Sequence, residues 1–176
     1  LSEAKSLAKL LATDYYHTTS SSDMNGVEVC AAIKNIFSMI IGAATGLNKN
    51  KTKESLYLNT SAALIKQSIY EMEVFTEFLK GKKETVKGLA GLGDLYVSAA
   101  GGRNSKMGSL LGKGMIFSSA KKDYMPDVTV EGAELIFEIG HKIKEDFDIK
   151  KIPLMISMIN TILDDKKLEI EWNYFT

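Results

Sequence analysis

The chain has little cysteine: Cys30 stands alone among 176 residues, which excludes an internal disulfide and suits a reducing compartment. It also has little histidine. His17 and His141 lie far apart in sequence without the company of other metal ligands, so neither has the spacing of a metal site. There is no net charge, with 22 basic residues against 22 acidic ones, and hence no global field to recruit nucleic acid or an anionic membrane. The longest apolar run, Ile36 to Ala44, falls well short of the ~20 residues that cross a bilayer. The opening stretch LSEAKSLAKLLA interleaves Glu3, Lys5 and Lys9, so it lacks the uninterrupted apolar core of a signal peptide. No serine sits in a nucleophile elbow, and no Gly-x-Gly-x-x-Gly follows a strand pattern. A soluble, cytoplasmic protein is expected, without a membrane span, a metal or a nucleic-acid partner.

With 45% hydrophobic residues, the chain can bury one domain core. Leu1, Ala4, Leu7, Ala8 and Leu11 recur at helical spacing, Tyr15 to Thr19 favour a short extended segment, and Ser20 to Asp23 read as a turn. An apolar helix runs from about Gly26 to Gly46, and the polar, lysine-rich stretch Asn48 to Glu54 reads as a solvated loop. A second long helix spans about Asn59 to Leu79. Ala62, Leu64, Ile65, Ile69, Met72, Phe75, Phe78 and Leu79 mark its apolar face, Lys66, Glu73 and Glu77 its polar one, and Gly81 stops it. A further helix over Thr129 to Phe147 turns Val130, Ala133, Ile136, Phe137, Gly140 and Ile143 inward, and Pro153 opens a last one that ends near Leu163. With no run of alternating strands, the fold class is all-α.

Lys34 is the exceptional residue of the apolar helix. On a period of 3.6 it shares a face with Val27, Cys30, Ala31, Phe37, Ser38 and Ile41, none of them charged. An ammonium placed there is costly unless something pairs with it or uses it. Either it snorkels from a helix that borders a smaller partner, or it serves chemistry. Glu28 and Asn35, seven residues apart, form a polar strip beside it that could hydrate a cleft.

Glycines 88, 91, 93, 101, 102 and 108 are too many for helix interiors, where each costs about 1 kcal/mol relative to alanine. They are expected to serve tight turns and close backbone approach. Gly101-Gly102-Arg103-Asn104 exposes backbone N–H groups beside a guanidinium and a carboxamide, a combination that fits a phosphate. The same four residues also fit a surface turn capped by Asn104. Asp94, between Leu92 and Leu95, fits an N-cap, the carboxylate that orients Lys34, or both at once.

Taken in order, GVEVCAAIKNIFSMIIGAATGL, NTSAALIKQSIYEM, GLAGLGDLYVSAAGGRN and VEG resemble the C-terminal domain of NAD(P)-dependent glycerol-3-phosphate dehydrogenases. The resemblance covers nearly the whole chain, with the Gly-Gly-Arg-Asn form of the eukaryotic type and Ser98 where threonine is common. It implies a multi-helical domain of the 6-phosphogluconate dehydrogenase C-terminal-like type, acting on dihydroxyacetone phosphate and sn-glycerol 3-phosphate with NAD or NADP. By resemblance Lys34 is the catalytic proton donor and acceptor, and Lys34, Asp94, Gly102, Arg103 and Asn104 bind substrate. Asn35 and Ser98 stand beside them. Arg103, Thr129 and Glu131 correspond to positions that touch the dinucleotide.

The resemblance further implies that residues 1–24 are the tail of an upstream dinucleotide-binding domain or the connection from it, and that residues 25–176 are the substrate-binding domain. The expected partners are a phosphorylated small molecule, the chain's own N-terminal Rossmann domain and a second copy in a homodimer. Taken alone, this stretch would bind dinucleotide poorly and turn over little. Two other readings compete: a stand-alone helical module for dimerisation or anion binding, and the C-terminal domain of another lysine-dependent dehydrogenase acting on a hydroxy acid or sugar acid.

Overall fold

The computed structural model describes residues 2–47 and 58–176, so the expected loop Asn48 to Glu54 lies outside the described residues. Among the described residues the secondary structure is helical. The elements are α1 (Ser2–Leu11), α2 (Met24–Leu47), α3 (Leu58–Phe78), α4 (Lys83–Val86), a π-helical turn (Leu89–Gly93), α5 (Asp94–Ala99), α6 (Arg103–Gly112), α7 (Phe117–Tyr124), α8 (Glu131–Asp146), α9 (Pro153–Leu163) and a short 3-10 turn (Trp172–Tyr174). Tyr15 to Thr19 run as irregular chain with no strand partner among the described residues.

The centre is α2. Helices α3, α4, α5, α6, α8 and α9 all pack against it, α6 most extensively. Its Ile33, Ile36, Phe37, Met39, Ile40 and Ala44 are buried in a core shared with Leu64, Met72, Met107, Leu111, Ile136 and Met158. By length and composition α2 could cross a membrane, yet 67% of its most apolar window is buried within the fold, as in a core helix. Asp23 starts it. The Gly26 N–H donates to Asp23 Oδ1 at 3.1 Å, while the Lys82 N–H and the Thr85 hydroxyl donate to Oδ2 at 2.9 and 2.5 Å, tying α2 to α4. The Thr85 and Lys82 bonds hold the Asp23 carboxyl below its usual range.

Close approach explains much of the glycine usage. Gly42 and Gly46 of α2 face Gly108 and Gly112 of α6, and a Cβ added at these positions would stand 2.3, 2.1, 1.7 and 2.3 Å from Ser105, Ser109, Met39 and Ala43 carbonyl oxygens, respectively. The two backbones therefore nearly touch. Contrary to the turn expectation, Gly108 lies inside a helix, and the steric gain of having no side chain there outweighs its poor helix propensity.

At the far end, Pro153 opens α9 as expected, and a residue from α3 caps it. The Leu154 and Met155 N–H groups donate to Glu71 Oε1 and Oε2 at 2.8 and 2.9 Å, and Gln67 Nε2 donates to Oε1 at 3.1 Å. Glu71 is fully buried, and that desolvation pushes its carboxyl up to about 8 against the three hydrogen bonds, which favour the charged form. Phe137, expected inward, is 47% exposed and meets Phe117 edge-on at 5.9 Å. Ala62, Phe78 and Leu79 of the second helix's apolar face are exposed too.

Candidate functional site

Lys34 lies midway along α2, its side chain 18% exposed, and its Nζ forms an ion pair and hydrogen bond with Asp94 Oδ2. Asp94 is the first residue of α5, and the π-helical turn before it sets its position. That turn lies against α4, and only glycine fits at its centre: a Cβ on Gly91 would come 2.0 Å from the Val86 carbonyl oxygen. Of the two readings open for Asp94, the structure realises the pairing with Lys34. A cleft of about 740 Å³ opens on this side, with Thr18, Thr19, Val27, Glu28, Ala90 and Asp94 in its wall. It reaches neither Arg103 nor Asn104.

The Gly-Gly-Arg-Asn sequence forms the start of α6. Gly102 is the N-cap in extended conformation, without a side chain to cap, and Arg103 is the first helical residue. The backbone N–H groups of this first turn thus meet no capping side chain, and an anion is the natural complement to them. Arg103 is largely exposed and pairs with Glu131, the first residue of α8. Asn104 is 6% exposed and turns inward. Its Nδ2 donates to Asn35 Oδ1 and Glu131 Oε2, both at 3.2 Å, and its Oδ1 accepts the Gly132 N–H at 2.9 Å.

The structure therefore joins Lys34 to Asp94 and links Asn35, Asn104, Glu131 and Arg103 in one polar chain. Since Asn35 follows Lys34 and Asn104 follows Arg103, the cationic residues flank a bonded amide pair. Thr129 stands apart: it is exposed two residues before α8, and its hydroxyl makes no hydrogen bond among the described residues. Ser98 contributes its carbonyl to the Gly102 N–H at 3.3 Å. Sequence reasoning missed Asp23 and Glu71. An aspartate three residues before Gly26 at the head of an apolar helix is a cap signal, and Glu71 falls on the apolar side of its helix next to Met72 and Phe75.

Among the described residues no cluster of side chains could hold a metal ion. The described part is thus an all-helical domain with a paired lysine on its central apolar helix and an arginine at the uncapped start of the helix packed most extensively against it.

A family model described as the NAD-dependent glycerol-3-phosphate dehydrogenase C-terminus matches residues 23–171, and the chain belongs to this family. It is 33% identical over 150 residues to the NADP(+)-dependent glycerol-3-phosphate dehydrogenase of Archaeoglobus fulgidus, covering 82% of this chain and 44% of that protein. It is 36% identical over 126 residues to glycerol-3-phosphate dehydrogenase [NAD(P)+] of Carboxydothermus hydrogenoformans, covering 70% of this chain and 35% of that one. Among solved structures, glycerol-3-phosphate dehydrogenase from Coxiella burnetii superposes with a TM-score of 0.75 at 28% identity, over 94% of this chain and 48% of that one. The Plasmodium falciparum enzyme shares the fold, with a TM-score of 0.75 at 22% identity, over 92% of this chain and 44% of that one. The chain spans less than half the length of these relatives.

Proposed function

We propose that the chain is the substrate-binding, catalytic-lysine part of a glycerol-3-phosphate dehydrogenase that interconverts dihydroxyacetone phosphate and sn-glycerol 3-phosphate with NAD(P)(H). The observation that carries this reading is the Lys34–Asp94 pair, one residue from Asn35, whose Oδ1 accepts a hydrogen bond from Asn104, the neighbour of Arg103. Addition of hydride to the ketone carbon builds negative charge on its oxygen. An ammonium beside that oxygen stabilises the charge and delivers the proton; in the reverse direction Lys34 Nζ takes it back. Asp94 holds the lysine in place.

The substrate phosphate is the anion that suits the start of α6. Arg103 supplies a planar fork of donors, and Gly102 lets the backbone N–H groups of Arg103 and Asn104 come close. The same donors fit a dinucleotide phosphate, which agrees with a second role for Arg103 on the cofactor side; Glu131 and Thr129 are assigned to that side by the family resemblance alone. The nicotinamide, when bound, supplies the hydride.

Burial and exposure support the remaining assignments. α1 buries none of its side chains, and Leu7, Leu10 and Leu11 are 59 to 79% exposed, which fits residues 1–24 as the connection to a dinucleotide-binding domain and residues 25–176 as the substrate domain. Leu89, Leu92, Tyr96 and Val97 form an apolar ridge beside Asp94 that such a domain would cover. A cytoplasmic setting suits the free, buried Cys30. A homodimer is the assembly to test, by sedimentation of this chain alongside its parent.

Lys34→Ala in the parent dehydrogenase should lower turnover at least about 100-fold, the low end for a positioned acid or base. A nearly unchanged rate would reject the reading.

A further inference from the structure

We propose that the segment after α9, Asp164 to Thr176, is a strap whose far end is held on α3 when the buried Glu71 carboxyl is ionised and let go when it is protonated, with the Gln67 amide as the relay. At its start the strap is tied to other elements: the Ser118 N–H and hydroxyl donate to Asp165 at 2.9 and 2.5 Å, and Lys144 pairs with Asp164 at 3.5 Å. At its end the Thr176 N–H donates to Gln67 Oε1 at 3.1 Å, the Thr176 hydroxyl donates to the same oxygen at 3.3 Å, and Lys66 Nζ donates to that hydroxyl at 3.3 Å. Between the two ties the strap and the Ser157, Asn160 and Thr161 side of α9 line a cavity of about 560 Å³.

The direction of the hydrogen bonds makes the far tie depend on Glu71. The Leu154 and Met155 N–H groups can only donate, and Gln67 Nε2 donates to Glu71 Oε1, so the whole arrangement converges on an ionised carboxylate. A protonated carboxyl must itself donate. Of the groups bonded to Glu71, only Gln67 carries an acceptor, which it presents by turning its amide through half a turn. Its –NH2 then faces Thr176, and the Thr176 N–H loses its acceptor. Gln67 is fully buried, so no water can take over either half of its amide.

Burial pushes the Glu71 carboxyl up to about 8, which places the change between neutral and mildly alkaline pH: the end is free below that range and held above it. Helix α9 brings no titratable side chain to Glu71, and Glu28, Cys30 and Lys34 of α2 do not bear on it. Glu73, two residues further along α3, is paired with Lys87, and Lys66 and Tyr70 do not contribute to the shift. Asp148, Lys150 and Lys151 before α9 and Lys166, Lys167, Glu169, Glu171 and Tyr174 of the strap are exposed.

The strap carries its own probe. Trp172 is the single tryptophan of the chain, 44% exposed and stacked on Phe175 at 5.0 Å. Quenching of its fluorescence by acrylamide, a neutral quencher, should weaken from pH 6 to pH 9 by up to about twofold, since one hydrogen bond moves the ratio of held to free ends about fivefold and the held ring is 44% exposed. Glu71→Gln cannot lose a proton and should give the free-end value throughout. Gln67→Met leaves Glu71 on the start of α9 but removes the relay, and it too should give the free-end value at every pH, so it decides the matter even if Glu71→Gln does not fold. Quenching of the native chain that stays flat over this range, or that weakens equally in Gln67→Met, would overturn the proposal.

Discussion

Gly108 presses against the Met39 carbonyl so closely that a Cβ would lie 1.7 Å from that oxygen. This is the tightest of the contacts that bring α6, and with it Arg103 and Asn104, onto the helix that carries Lys34. Gly108→Ala gains about 1 kcal/mol of helix propensity but must push two backbones apart, and overpacking of this kind costs about 1–3 kcal/mol or more. Separation of two backbones belongs at the upper end. The thermal midpoint should fall by several degrees, at about 2–4 °C per kcal/mol for a chain of this size. An unchanged or raised midpoint would mean that the two helices do not meet at Gly108.

Arg103→Lys keeps the charge and removes the planar fork. In the parent, KM for dihydroxyacetone phosphate should rise about 10-fold or more, as one charge-assisted hydrogen bond is worth about 1.5–3 kcal/mol. Activity on unphosphorylated dihydroxyacetone should hardly change. An equal loss on both ketones, read from paired steady-state measurements, would remove the phosphate from this position.

Glu71 makes stability depend on pH in a direction opposite to that of most carboxylates. Its folded-state value of about 8 lies above the ordinary 4.5, so the folded protein prefers the protonated form. Its contribution is fully present below about 4.5 and is lost as pH rises through about 8. Thermal midpoints recorded from pH 6 to pH 9 should therefore fall more steeply for the native chain than for Glu71→Gln, which cannot ionise. Parallel curves would show that burial does not hold the proton on Glu71. Asp23 has the opposite sign: its lowered value gives stability above the ordinary 3.8 that is lost as pH falls into the acid range.

Helices α2, α3, α8 and α9 were legible because their apolar residues repeat every three to four positions, and Pro153 marks the start of α9 to the residue. The glycine-rich segment was harder to read. Propensity argues for turns, yet the segment folds as a π-helical turn followed by two helices, since the packing of α6 on α2 overrides a local preference of about 1 kcal/mol per residue. Phe137 shows the same limit in reverse: a position on the apolar face of α8 stays 47% exposed, with Phe117 edge-on against it.

The sequence by itself determined an all-helical chain, the presence of a lysine where an apolar helix has no use for one, and the motifs that mark its family. These are properties of residue type and short-range spacing, and they survive without coordinates. Whether Asp94 reaches Lys34, which amide joins α2, α6 and α8, and which glutamate caps α9 were decided only by tertiary structure. Those partners lie 60, 69 and 83 residues apart, and no periodicity reaches that far. A buried polar group must find a partner wherever packing brings one, so chain topology rather than local pattern makes the choice.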